Sequence, residues 1–391
     1  MIEILDTASA PAAFAAFLDI PDEVYAGDPS WNATPRVDVF ESLLRPEFAG
    51  RQRALVAAVD DEPFARLVAR RSPTLKDAEG RPYGLLGFFE ARQGAPEAVA
   101  ALFAEAVAWL RDTGAGPILG PMDGDTWHRY RLNVGPWDEP PFLLEPYNPP
   151  WYEELWTANG FEVLERYYSK RVETATVVSH LEGKAGAALA AGYKLRPLDP
   201  SRFKAELGVI YELSRRIFAC NFLYTEIPRA EFVKLYAGAR SLLDPDLVLF
   251  ARSPEGEDVG FLFAYADRFR AVAAMRGQRG LLAKLRYLRH RKQVDAVDFK
   301  TLGVLPEHRR SGVAAALFHE GHRRALERGY RRANHCLYKE GNPSGDLDGG
   351  AGTLLREYRL YEWKGPSSPQ PSSPDPSLPP APGEEGEVGR S

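Results

Sequence analysis

The stretch Thr301-Leu-Gly-Val-Leu-Pro-Glu-His-Arg-Arg-Ser-Gly-Val-Ala-Ala-Ala-Leu317 decides how the chain is read. An apolar run ends at Val304, Pro306 stops it, and alanines and leucines at helical spacing begin near Gly312. Arg309, Arg310, Ser311 and Gly312 fill the turn between them. A strand that turns into a helix in this way presents the first backbone N–H groups of the helix and the positive end of its dipole. Gly312 and Ala314 place little side chain in the path of an anion, and the arginines add forked donors that match phosphate oxygens. With Val313 included, residues 309 to 314 form a turn suited to a pyrophosphate.

Around this turn the same order of elements is predicted twice. In the second half, strands at 193–197, 247–251, 259–265, 296–304, 332–338 and 353–363 are interleaved with helices at 202–218 and 312–328. In the first half, a hairpin joins 53–59 to 64–70 around Asp60, Asp61 and Glu62, and a strand follows at 83–89. A helix opened by Pro96 runs to Leu110, a strand covers 117–120, a short helix covers 152–158, and a strand at 161–172 closes the half. A repeated element order predicts two similar mixed α/β domains, 1–180 and 193–364. The Gly- and Ala-rich run Glu182–Gly192 reads as their connection. Residues 365–391, dominated by proline, serine and glycine, read as a disordered tail.

Composition excludes several classes. With 391 residues, 45% hydrophobic and 26% charged, the chain can bury a sizeable core. The net charge of -5 argues against a protein that coats nucleic acid. Cys220 and Cys336 are the two cysteines, and neither they nor the histidines have metal-ligand spacing, so no metal is expected. The acidic start Met1-Ile-Glu-Ile-Leu-Asp is unlike a signal peptide, and no run approaches the ~18 apolar residues of a membrane span. The expected compartment is the cytoplasm.

Arg309-x-x-Gly312-x-Ala314, preceded by Leu302-Gly-Val304-x-Pro306, resembles the coenzyme A signature Arg/Gln-x-x-Gly-x-Gly/Ala of the GCN5-related N-acetyltransferase superfamily. Asn342 stands where that family places an asparagine after the next strand, and Asn148 in Pro146-Tyr-Asn-Pro-Pro150 occupies the matching place in the first half. The first half lacks the phosphate signature, so the chain resembles bacterial tandem proteins with a degenerate N-terminal repeat. The resemblance implies two tandem domains of that fold and transfer of an acetyl or other acyl group from acyl-coenzyme A to an amine. It implies cofactor contacts from Leu302, Val304, Arg309, Arg310, Ser311, Gly312, Val313, Ala314 and Asn342. The acceptor would be a small molecule or a protein amine.

An amine needs a base to shed its proton and the departing thiolate needs an acid. Asp298, on the strand before the turn, is the expected base, with Asp295 second; the competing reading is an ordinary solvent-facing aspartate. The family's usual tyrosine has no counterpart at its spacing, because Asp346-Leu-Asp-Gly-Gly-Ala-Gly352 is short and rich in helix breakers. Tyr338, Tyr358 and Tyr361 lie nearby, with Tyr358 as the candidate acid. The missing tyrosine also allows a catalytically weak acyl-coenzyme A sensor. Asn221, Tyr224 and Thr225, in the loop after the helix at 202–218, are the expected acceptor contacts, with loop capping as the alternative.

A further reading attaches to residues 276–292, where arginines, lysines and leucines alternate at helical spacing. Such a helix can touch nucleic acid or a membrane surface. The acidic chain as a whole favours an insertion that turns its leucines inward and its arginines to water.

Overall fold

The computed structural model describes residues 1–237, 243–278, 280–292, 294 and 296–365. The tail expected over 365–391 therefore lies outside the described residues except for Gly365, and Asp295 lies outside them too. In chain order the first half comprises β1 (Ile2–Asp6), α1 (Pro11–Val24), α2 (Arg36–Leu43), β2 (Gln52–Val59), β3 (Glu62–Lys76), β4 (Pro82–Ala91), α3 (Pro96–Asp112), β5 (Ile118–Gly120), β6 (Leu132–Gly135), α4 (Tyr152–Ala158) and β7 (Phe161–Glu173). α5 (Thr174–Ala190) leads to β8 (Lys194–Pro197), α6 (Phe203–Phe218), α7 (Arg229–Ala237), β9 (Val248–Arg252), β10 (Asp258–Ala266), α8 (Phe269–Ala273) and α9 (Leu281–His290). β11 (Ala296–Val304), α10 (Val313–Glu327), β12 (Arg332–Lys339) and β13 (Thr353–Trp363) complete the chain.

Local chemistry explains the best-predicted pieces. Asp60 and Asp61 both take left-handed backbone angles, φ 50° and 69°, and Val59 pairs with Glu62 across them. That is the two-residue turn whose twist suits a tight antiparallel hairpin. Pro96 sits in the first turn of α3, and Ala98, Val99, Leu102, Phe103, Ala106 and Leu110 form its buried stripe at helical spacing.

The two halves share one sheet. Its strand order is β1-β2-β3-β4-β5-β13-β7-β12-β11-β10-β9-β8, with β6 pairing β13 off this path. β13, the last strand of the second half, lies between β5 and β7 of the first. β7, the last strand of the first half, lies between β13 and β12 of the second. Reading the sheet from either end meets corresponding strands in the same order, so the halves are related by a pseudo-twofold between β7 and β13. Each half completes its sheet with a strand from the other.

One sequence expectation is extended here and one is corrected. The Gly- and Ala-rich run at 182–192 does join the halves, and most of it is the body of α5. Val177, Leu181, Ala185 and Ala188 are its buried residues at helical spacing, and Ala185 and Ala188 pack on Ala316 of α10. Gly183 and Gly186 face open space, where they weaken the helix without breaking it. The leucines of the basic segment do not turn inward: Leu281, Leu282, Leu285 and Leu288 of α9 are all exposed, and only Ala283 is buried.

Candidate active site

The site is built where two parallel strands part. β11 and β12 pair from Ala296↔Arg332 to Phe299↔His335, and the pairing ends there. Two local devices separate them. On β11, Lys300 is an extra residue relative to β10, because Phe263 faces Thr301 and Ala264 faces Phe299. On β12, Leu337 takes φ 58°, and its N–H donates to Ser169 Oγ on β7 at 3.0 Å. Beyond the split, β11 follows β10 as far as Gly260↔Val304, while Tyr338 and Lys339 follow β7. The two strands thus turn facing edges toward a shared gap, whose backbone groups need partners.

At the C-terminal end of β11 the predicted turn is present. Gly312 caps α10 in the left-handed region, φ 81°, and a Cβ there would meet the Lys184 carbonyl oxygen of α5 at 3.3 Å. Val313 is buried in the core, and Ala314 is packed against that core while half-buried. Ser311 Oγ donates to His308 O at 2.7 Å, and Arg310 is exposed. The Arg309 guanidinium, expected to point at a phosphate, turns back: Nη2 donates to Ile217 O at 3.1 Å and Nε to Val304 O at 3.4 Å. The ends of α6 and β11 leave carbonyls without ladder partners, and Arg309 satisfies them. Leu302 is half-buried and Val304 buried on β11. Asn342 stands exposed after β12, accepting from Ser344 N at 3.0 Å, and borders an open cavity of 340 Å³ with Tyr168, Lys170 and Tyr338.

The face of β11 opposite α10 carries the titratable groups. Asp298, expected as a base open to an acceptor, is fully buried. Its Oδ1 accepts from Asn334 Nδ2 at 2.7 Å, its Oδ2 has no hydrogen-bond partner, and burial raises its carboxyl well above the usual range. Tyr358 is also fully buried, and burial holds its proton on. Its hydroxyl donates to Glu145 Oε1 at 2.5 Å and lies 3.2 Å from Ser169 Oγ. Glu145 comes from the first half, in the loop between β6 and α4. Its Oε2 accepts from Phe142 N at 2.9 Å, and Arg356 Nε lies 3.5 Å from Oε1. Burial, only partly offset by Arg356 and Tyr358, pushes the Glu145 carboxyl up to about 7. Lys300 is pushed down to about 8 by desolvation. Cys336, buried beside them, has its thiol raised by the same cause. Sequence reading missed Glu145 and Lys300; the one signal was the single charged residue inside the Pro140–Pro150 run.

The loop after α6 lies apart from these groups in its own contacts. Asn221 is exposed, while Thr225 is buried and its carbonyl accepts from Trp127 Nε1 at 2.8 Å. Tyr224 stacks edge-on against Trp127 and its hydroxyl has no hydrogen-bond partner. Trp127, Phe232, Tyr236, Phe263 and Tyr265 then follow one another with ring centroids 4.6 to 6.1 Å apart. Tyr265 is the strand partner of Asp298.

The equivalent cleft of the first half is filled. β4 and β5 pair only at Gly84↔Ile118 and Leu85↔Leu119, and β4 bulges at Phe88, φ 53°. Asp123 Oδ1 accepts Phe88 N–H at 2.7 Å, Met122 N donates to Leu86 O at 2.8 Å, and Arg129, Glu90, Tyr25 and Tyr152 interlock behind them. The remaining cavity is 20 Å³.

The overall fold is similar to that of a solved structure, the GCN5-related glucosamine N-acetyltransferase region of a fungal multi-domain GH3 beta-N-acetylglucosaminidase. The likeness has a TM-score of 0.51 at 13% identity and covers 93% of this chain. The chain has the GCN5-related N-acetyltransferase fold. The expected tandem pair of such folds is the architecture found, with the final strands exchanged. The chain covers 38% of that fungal protein. No protein-family model matches the sequence. Among curated proteins, the chain is 26% identical over 369 residues to the bacterial ceramide synthase of Caulobacter vibrioides, covering 90% of this chain and 95% of that one. It is 23% identical over 269 residues to Protein YghO of Escherichia coli, covering 67% and 68%. Among the described residues there is no cluster of groups that could hold a metal ion, and no helix is long and apolar enough to cross a membrane.

Proposed function

We propose that this chain is an N-acyltransferase that moves an acyl group from acyl-coenzyme A to the amine of a long-chain base. The observation that carries the reading is the parting of β11 from β12 above Phe299 and His335, with the left-handed Gly312 turn at its open end. A pantetheine chain needs backbone partners along its amides and an anion site at its far end, and this arrangement offers both. Leu302 and Val304 would line the gap, Arg310 and the α10 N-terminus would hold the pyrophosphate, and Asn342 would stand at the end of β12. The thioester supplies an acyl carbon open to attack and a thiolate leaving group.

The protein's part is proton handling. The amine must lose a proton as the C–N bond forms, and the thiolate must gain one as the C–S bond breaks. Glu145, held near neutrality by burial, is poised to accept the first. Tyr358, already bonded to Glu145, keeps that carboxylate in place and relays the proton toward the leaving sulfur. Asp298 keeps its proton and fixes Asn334, so it acts as a support.

A ceramide carries its fatty acyl group in amide linkage on a long-chain base, and the Caulobacter relative is named for making one. The test is thiol release from acyl-coenzymes of two to eighteen carbons against a panel of amino acids, polyamines and sphingoid bases. Turnover with a sphingoid base, lost in Glu145→Gln, supports the reading. Turnover confined to short polar amines removes the lipid acceptor, and coenzyme binding with no turnover on any amine leaves a sensor.

A further inference from the structure

We propose that α9 docks this protein onto an anionic lipid bilayer. The proposal rests on the surface of α9 alone and stands or falls independently of acyl transfer. Residues 276–292 contain seven Lys and Arg and no Asp or Glu, in a chain whose net charge is -5. On α9, Leu281 is 80% exposed, Leu282 68%, Leu285 62% and Leu288 48%. The helix is held from its other side: Ala283 is 1% exposed, and the Tyr287 hydroxyl accepts from Arg268 Nη1 at 3.1 Å. At 3.6 residues per turn, each residue advances by ~100°. Leu285 therefore points directly away from Ala283 and Tyr287, and Leu281 and Leu288 lie within ~60° of it on the outward side. Lys284 and Arg286, both exposed, fall on the two flanks of that leucine face.

An apolar crest flanked by cations is what an interfacial helix presents to a bilayer: leucines enter the acyl boundary while the ammonium and guanidinium groups meet lipid phosphates. A nucleic acid would use the cations and leave four leucines in water, so the leucines select the lipid. The location fits. α9 feeds the N-terminal end of β11, and the 309–314 turn follows its C-terminal end. Nine residues of strand separate the two by ~30 Å. A bilayer met by α9 therefore lies at the far end of β11 from the pyrophosphate turn, leaving a water-soluble carrier its own approach.

The test is co-sedimentation of the full chain with vesicles of phosphatidylcholine alone or mixed with phosphatidylglycerol. Two triple variants accompany the wild type: Leu281→Ser with Leu285→Ser and Leu288→Ser, and Lys284→Gln with Arg286→Gln and Arg289→Gln. All six positions are exposed, and matching thermal melts establish that both variants fold. The expected result is binding to the anionic vesicles that weakens with salt, with each triple variant partitioning at least ~tenfold less. Wild type that stays in the supernatant with anionic vesicles overturns the proposal. So does a leucine variant that binds as the wild type does. Salt-dependent retention on RNA unchanged by the leucine variant, without vesicle binding, assigns the surface to nucleic acid. A wild-type dimer abolished by the leucine variant, again without vesicle binding, assigns it to a second copy.

Discussion

The hydroxyl of Tyr358 donates to the carboxylate of Glu145 at 2.5 Å, joining the last strand of the second half to a loop of the first. Neither half contains this pair by itself. Burial raises the Glu145 carboxyl to about 7, so the pair changes charge in the pH range where an amine acceptor must be deprotonated.

Activity should therefore climb with pH through about 7 and then level, and Glu145→Gln should lose at least ~100-fold in kcat/KM. The stability effect has the opposite sign. A carboxyl with a raised folded value binds its proton more tightly in the native state, so its penalty is absent below the unfolded value and complete above about 7. A shift from 4.5 to about 7 corresponds to roughly 3 kcal/mol. Urea midpoints at pH 5 and pH 8 should show the wild type losing ground to Glu145→Gln as pH rises. A constant difference between the two proteins would exclude a raised Glu145.

Arg309 and Arg310 should separate on mutation. Arg309→Ala removes the donors of the Ile217 and Val304 carbonyls and should destabilise by about 1 to 3 kcal/mol, seen as an earlier thermal transition without ligand. Arg310→Ala should leave that transition in place and weaken coenzyme A by roughly tenfold in calorimetry. Equal melting of both variants would mean that the carbonyl contacts of Arg309 contribute nothing to stability.

Gly312→Glu should abolish coenzyme A binding, because its carboxylate would occupy the anion position. Gly312→Ala should retain weakened binding and cost roughly 1 to 2 kcal/mol, since φ is 81° and the Lys184 carbonyl is close. Denaturant unfolding and calorimetry of the pair distinguish electrostatic exclusion from backbone strain.

Calorimetry should find one coenzyme A site per chain. Asp123→Ala should create no second one, even though it removes the plug of the first cleft. Left without its acceptor, the buried Phe88 N–H should cost about 1 to 3 kcal/mol. A second binding event in that variant would mean that the first half keeps a latent site.

The turn at 309–314 was legible because its parts are local: a stop, two arginines, a small residue and a helix. The paired aspartates at 60 and 61 were legible for the same reason. Strand exchange was not, because β7 and β13 carry the same alternation whichever half they complete. α5 was hidden by Gly183 and Gly186, although Val177, Leu181, Ala185 and Ala188 already marked a helical stripe. The leucines of α9 could be spaced from sequence but not aimed, since only Ala283 and Tyr287 reveal which side meets the protein. Glu145 sits in a loop without periodicity, and its chemistry arises from Tyr358 and Arg356, more than 200 residues away.

The exchanged strands also set an order of events during synthesis. β5 leaves the ribosome about 230 residues before β13, the strand that completes its edge. At 5 to 20 residues per second, the open edge of the first half waits roughly 10 to 50 s. An unpaired edge of that lifetime is a template for a neighbouring nascent chain. Slowing translation within the second half should therefore raise the fraction of misassembled protein, and a chaperone that shields β5 should matter more than one that acts after release.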